Sequence, residues 1–219
     1  MVNAITHNKP QRVGLPIGIL LLTLGSASAD PLSKNSVPTP FLGHASGNPP
    51  TWDDKPLESI EVAFCTRRDP PALGSVVTVV PSDNSLPTVA ARVVGSERDE
   101  HDECTAVHLN PIKSQKWMRW RPPASSDGTW HQRVMVLAGS LPKAHAIPSA
   151  KIDGRDLPAG TRKAKDLILA VDTDSDNRID AVGRNACKSG RRDCEEWRCE
   201  EVWVRGQERW RMTEQICGD

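Results

Sequence analysis

The chain has 219 residues, with 28 basic and 28 acidic side chains and so no formal net charge. That balance exerts no general pull on nucleic acid or anionic lipid, which counts against a polyanion-binding role. Eighteen prolines argue against long helices.

The first element in chain order is an export signal. Lys9 and Arg12 give a positive start, Val13–Leu24 is mostly apolar, and Ala27-Ser28-Ala29 places small residues before a cleavage point at Asp30. The apolar run is too short to cross a hydrocarbon core, which needs roughly 20 residues. No Cys follows the cleavage point, so lipid attachment there is not expected. Residues 1–29 therefore read as a cleavable signal peptide, and the expected location is periplasmic or secreted, with no membrane span after cleavage. Lys9 and Arg12 are the only formally charged residues removed, so the mature chain carries a net charge of −2.

Residues 30–56 are rich in Pro, Ser, Gly and Asn and read as a flexible leader. From Leu57 onward the pattern is mainly β. Short apolar or alternating runs recur at Ile60–Cys65, Ser75–Val80, Val89–Val94, Cys104–Leu109, Val134–Leu137, Asp166–Val171 and Val202–Arg205, separated by turn residues. Val76–Val80 and Val89–Val94 read as a hairpin or as two barrel strands. The expectation is a small β-barrel or sandwich over 57–148, then a disulfide-rich β-hairpin module with a calcium loop over 149–219. A soft boundary falls near Pro148–Gly160.

Six cysteines remain in the exported part: Cys65, Cys104, Cys187, Cys194, Cys199 and Cys217. An even count in an exported chain reads as disulfides, and the last cysteines lack the Cys-x-x-Cys knuckle usual for zinc. Arg198–Cys217 reads as a hairpin turning at Gly206-Gln207. That register sets Trp203 opposite Trp210 and places Cys199 and Cys217 on opposite faces. It favours Cys194–Cys217, Cys187–Cys199 and Cys65–Cys104, since a Cys199–Cys217 bond needs a bulge. Glu201, on the Trp face, needs an edge position or a cationic partner.

Residues 172–180 read Asp-Thr-Asp-Ser-Asp-Asn-Arg-Ile-Asp, with acids at loop positions 1, 3, 5 and 9. Alternate residues of a tight loop turn carboxylates inward, and hard divalent cations take six to eight oxygens. Asp172, Asp174, Asp176 and Asp180, with the Arg178 carbonyl, form a candidate calcium shell. Asn177 suits the left-handed backbone expected after the third acid.

This segment resembles the FG-GAP repeat loop of integrin-type propellers, Asp-x-Asp-x-Asp-Gly-x-x-Asp between two strands. It departs from that pattern at Asn177. An EF-hand loop shares the first three acids but needs a Glu at position 12, where this chain has Gly183. The resemblance covers residues 166–184 and implies calcium held in a strand–loop–strand turn. It occurs once, so it does not imply a propeller.

Trp117, Trp120 and Trp130 cluster with Arg119, Arg121 and Arg133. They read either as core Trp covered by Arg stems or as a ligand surface, with Ser189-Gly190 as a further exposed contact. No hydrolase elbow or nucleotide loop is present in the sequence, and an enzyme is the weaker class. The preferred reading is an exported, calcium-stabilised protein that binds a protein partner, as periplasmic inhibitors and immunity-type proteins of cell-wall hydrolases do. The alternatives are an envelope hydrolase or carbohydrate-binding module, with glycan as ligand, and a purely structural envelope protein.

Overall fold

Alternating burial marks the strands that wall a single core. In β2 (Ile60–Phe64), Ile60, Val62 and Phe64 are buried while Glu61 and Ala63 are half-buried. The computed structural model describes residues 38–47, 59–66, 68–98, 104–112, 120, 130–161, 166–187 and 198–217. The protein is mainly β, as the sequence patterns indicate.

Six antiparallel strands close a barrel: β1 (Phe41–Gly47), β2, β3 (Val76–Pro81), β4 (Val89–Arg98), β5 (Thr105–Pro111) and β6 (Trp130–Ala138). Their order is β1-β2-β5-β4-β3-β6, with β6 pairing back onto β1. Closure leaves no open edge. Val76–Val79 pairs with Val89–Arg92, as the expected hairpin requires. The barrel is filled by Ile60, Val62, Phe64, Leu109 and their neighbours around Trp120.

A five-stranded sheet follows, in the order β11-β10-β9-β8-β7. It contains β7 (His145–Ala146), β8 (Leu167–Asp172), β9 (Ala181–Cys187), β10 (Arg198–Arg205) and β11 (Trp210–Cys217). Its inner face packs on the outside of the barrel. Val80, Met135 and Leu137 from β3 and β6 form one buried cluster with Leu169, Val171, Ala181 and Val204. The runs Val77–Val80 and Val134–Leu137 are therefore continuously buried, because barrel core lies on one side and sheet on the other. Gly183 allows close approach at the same seam. A Cβ there would lie 2.9 Å from Leu42 Cδ1 of β1. The outer face of the sheet is covered by residues 147–157, whose Ile152 and Leu157 pack with Ile179, Val182 and Trp203.

Polar contacts lock the two layers together. Arg68 donates to Glu214 at 2.7 Å and to the Pro40 carbonyl at 2.6 Å. Arg133 pairs with Glu200 at 2.6 Å. Inside the sheet, buried Glu201 accepts from Arg184 Nε, Trp203 Nε1 and Gln215 Nε2, each at 2.8 Å. Arg184 also donates to the Ala159 carbonyl and to Thr161. The cationic partner expected for Glu201 is thus Arg184.

The structure sharpens several expectations. The barrel takes its first strand, β1, from the segment expected to be a flexible leader, because β1 gains ladder bonds to both β2 and β6. Residues from 35 onward form one compact unit, since barrel and sheet share the seam just described. The terminal hairpin turns through 206–209, with Arg205 opposite Trp210 and Trp203 opposite Met212. The register then shifts between Val202 and Trp203 and brings Cys199 opposite Cys217, where they are bonded. That bond overturns the Cys187–Cys199 and Cys194–Cys217 pairings, whereas Cys65–Cys104 forms as expected. Finally, of the two readings open for Trp120, core and ligand surface, the structure shows the core. It is fully buried in the barrel and donates Nε1 to the Pro87 carbonyl at 2.8 Å.

Candidate metal centre at the β8–β9 turn

The acidic loop connects two adjacent, paired strands, so its ends are fixed. Val171 opposite Ala181 is the last pair before the turn, and Asp180 N donates back to the Val171 carbonyl at 2.8 Å. Ile179 is buried in the outer cluster and pins the far side of the turn.

Within the turn each early acid caps the backbone ahead of it. Asp172 Oδ1 accepts from the Asp174 and Ser175 N–H groups at 3.1 and 2.7 Å, and Oδ2 from the Asn177 N–H at 2.8 Å. Asp174 Oδ1 accepts from Asp176 N, and Asp176 Oδ1 from Arg178 N. These Asx-type contacts are local, because an Asp side chain reaches its own backbone two residues on. They coil the loop so that alternate carboxylates converge. One oxygen each from Asp172, Asp174 and Asp176 lie within 4.8 Å of one another. Asn177 has a φ of 65°, the left-handed backbone anticipated for it, and Ser175 at 66° adopts the same region.

Asp172 is fully buried, whereas Asp174 and Asp176 are exposed. Three hard oxygen donors this close repel one another as carboxylates, and a divalent cation relieves that repulsion. The donor set suits an oxygen-preferring cation over zinc, which favours nitrogen and sulfur.

The remaining predicted ligands sit at the margins. Arg178 is exposed, and its N–H is the donor to Asp176. Asp180 lies outside the group of three, and its Oδ2 accepts from both the N–H and the hydroxyl of Thr173. Burial pushes its carboxyl above the usual carboxylate range. The Thr173 hydrogen bonds oppose that shift, and the nearby Asp174 and Asp172 charges reinforce it.

Two neighbours come from far upstream and left no signal in the motif. His145 Nε2 lies 4.0 Å from Asp172 Oδ2, and the Lys143 carbonyl accepts from Ser175 Oγ at 2.9 Å. β7 pairs with the end of β8, His145 opposite Asp172, and so delivers both. Of the other sequence candidates, Trp130 opens β6 opposite Gly47. Trp117, Ser189, Gly190 and Cys194 lie outside the described residues.

No protein-family model, curated protein or solved structure matches this chain. Among the described residues, no helix is long and apolar enough to cross a membrane.

Proposed function

We propose that this is an exported envelope protein in which the β8–β9 turn binds calcium as a structural ion, and that it acts by binding a protein partner rather than by catalysis. The observation that carries the metal assignment is the convergence of Asp172, Asp174 and Asp176 at a turn anchored on both sides by paired strands. The disulfides Cys65–Cys104 and Cys199–Cys217, seen among the described residues, suit an oxidising compartment. In that compartment calcium is abundant enough to fill a weak extracellular-type site. Inhibitors and immunity-type proteins of cell-wall hydrolases exemplify the kind of activity proposed.

Burial of Trp120 weighs against the carbohydrate-binding alternative, because it removes one of the rings that would stack on a sugar. The metal reading is tested by thermal melting with calcium and with chelator. Calcium raises the melting temperature of the wild-type chain, and Asp174→Ala abolishes the rise. An identical melt with calcium and with chelator refutes the reading. For the partner, affinity capture from envelope extract is run in parallel with calcium and with chelator. A hydrolase retained specifically supports the reading, and loss of all specific retention opposes it.

A further inference from the structure

A cleft of about 950 Å³ opens beside the metal turn, between the β3–β4 loop of the barrel and the segment through β7. Its volume lies toward the upper end of the range for ligand sites. The side chains around it are unusually one-sided for a charge-balanced chain. Lys143, Lys151 and His145 line it, and among the described residues no carboxylate does. Between these groups lie Leu86, Ile147 and a shelf of prolines, with no Trp or Phe among the described lining residues.

The backbone on one wall adds a further feature. β7 is the end strand of its sheet. Ile147 N donates to the Ala170 carbonyl, and His145 stands opposite Asp172. Antiparallel pairing alternates, so Ala146 between them turns its N–H and C=O away from β8. Ala146 itself lines the cleft. That edge can take an added extended chain by main-chain hydrogen bonds. Pro142 and Pro148 bracket it, which limits pairing to a short stretch and guards against open-ended association.

We infer that this cleft binds a short, extended, acidic and partly apolar peptide segment of a partner protein. The lysines select the acidic side chains, the Leu86 and Ile147 shelf takes the apolar ones, and Ala146 bonds the peptide backbone. An anionic glycan matches the charge but leaves the Leu86 and Ile147 shelf unused and meets no Trp or Phe among the described lining residues. The inference rests on the protein-binding role proposed above and supplies its recognition chemistry. It is also coupled to the metal turn, because Ser175 and Asn177 line the cleft and Ser175 Oγ is bonded to the Lys143 carbonyl. A cation held by Asp172, Asp174 and Asp176 brings positive charge to that wall, and calcium and peptide then strengthen each other's binding reciprocally.

The test is fluorescence anisotropy of the full chain with a labelled peptide alternating Glu and Leu. A peptide alternating Lys and Leu, and an acidic polysaccharide, serve as comparisons. The Glu peptide binds saturably and more tightly with calcium, and Lys143→Glu/Lys151→Glu weakens it by about tenfold or more. Both lysines are exposed, so the variant should keep the wild-type melting temperature, which is checked alongside. Equal binding of the two peptides, an unaffected lysine variant, or binding of the polysaccharide in preference to the peptide overturns the inference. A calcium-dependent melt without peptide binding overturns the cleft and leaves the metal centre standing. Peptide binding without any calcium effect on the melt does the reverse.

Discussion

Cys199 faces Cys217 across the terminal hairpin because one extra residue, Thr213, is accommodated between the Trp203–Met212 and Val202–Glu214 pairs. Without that bulge Cys199 would oppose Ile216, and Cys217 would point to the other face of the sheet. The hairpin therefore carries its own staple, and the staple fixes the position of Glu214, to which the barrel's Arg68 docks.

The first prediction concerns that staple. Peptide mapping without reduction recovers Cys199 linked to Cys217 and Cys65 linked to Cys104. A Cys194–Cys217 peptide contradicts the observed register. The Cys199→Ala/Cys217→Ala double variant loses about 3 kcal/mol in urea unfolding, the scale expected for the 18-residue separation it closes.

The buried Arg184–Glu201 pair gives the second. Glu201→Ala leaves the buried Arg184 charge without its carboxylate, keeping only the bonds to Ala159 and Thr161, and frees Trp203 and Gln215, so it costs about 3–5 kcal/mol. Arg184→Met/Glu201→Leu removes both charges together and recovers much of that loss. A double-mutant cycle by urea denaturation measures the coupling. A cost for Glu201→Ala below about 1 kcal/mol, the range of exposed pairs, sinks the argument.

The third addresses the backbone of the metal turn. With φ at 65°, Asn177 tolerates what most side chains do not. Asn177→Ala costs about 1 kcal/mol, while Asn177→Gly is neutral or stabilising and keeps the calcium-dependent melt. Equal melts for the Ala and Gly variants count against the strain argument.

The fourth is a pH dependence at the barrel wall. Arg133 has only donors, so His44 Nε2 is the acceptor in their contact and the ring is neutral. Desolvation first, then the Arg133 charge, lowers the His44 pKa. Glu200 opposes the shift and His131 adds to it. The unfolded chain takes up this proton near pH 6.5, before the folded chain does. The stability His44 contributes is therefore present above that value and is lost as pH falls from it toward the lowered folded pKa. Urea midpoints measured downward from about pH 7 fall less steeply for His44→Gln than for wild type. Parallel curves refute the assignment.

Much of this protein follows from patterns only two residues long. Alternation in Ile60–Phe64, the acids spaced by two in Asp172–Asp176 and the left-handed preference of Asn177 are local. Local sterics and side-chain-to-backbone bonds enforce them wherever the segment sits. The terminal hairpin was legible as a hairpin for the same reason, but its register was not. A one-residue bulge leaves no trace in composition, and it decides which cysteines meet.

The tertiary structure decided the rest. The sequence by itself determined a β-rich, six-cysteine chain with an acidic segment at Asp172–Asp180, because those are properties of composition and short-range geometry. Only the fold recruits Phe41–Gly47 into the barrel, since a Gly- and Ser-containing strand is held by ladder bonds to β2 and β6 and not by propensity. Only the fold buries Trp120, and only the fold carries Lys143 and His145 to the side of Asp172. Those placements depend on contacts between residues far apart in the chain, whose free energy comes from burying both faces of β3 and β6, and no local pattern records which distant surface will cover them.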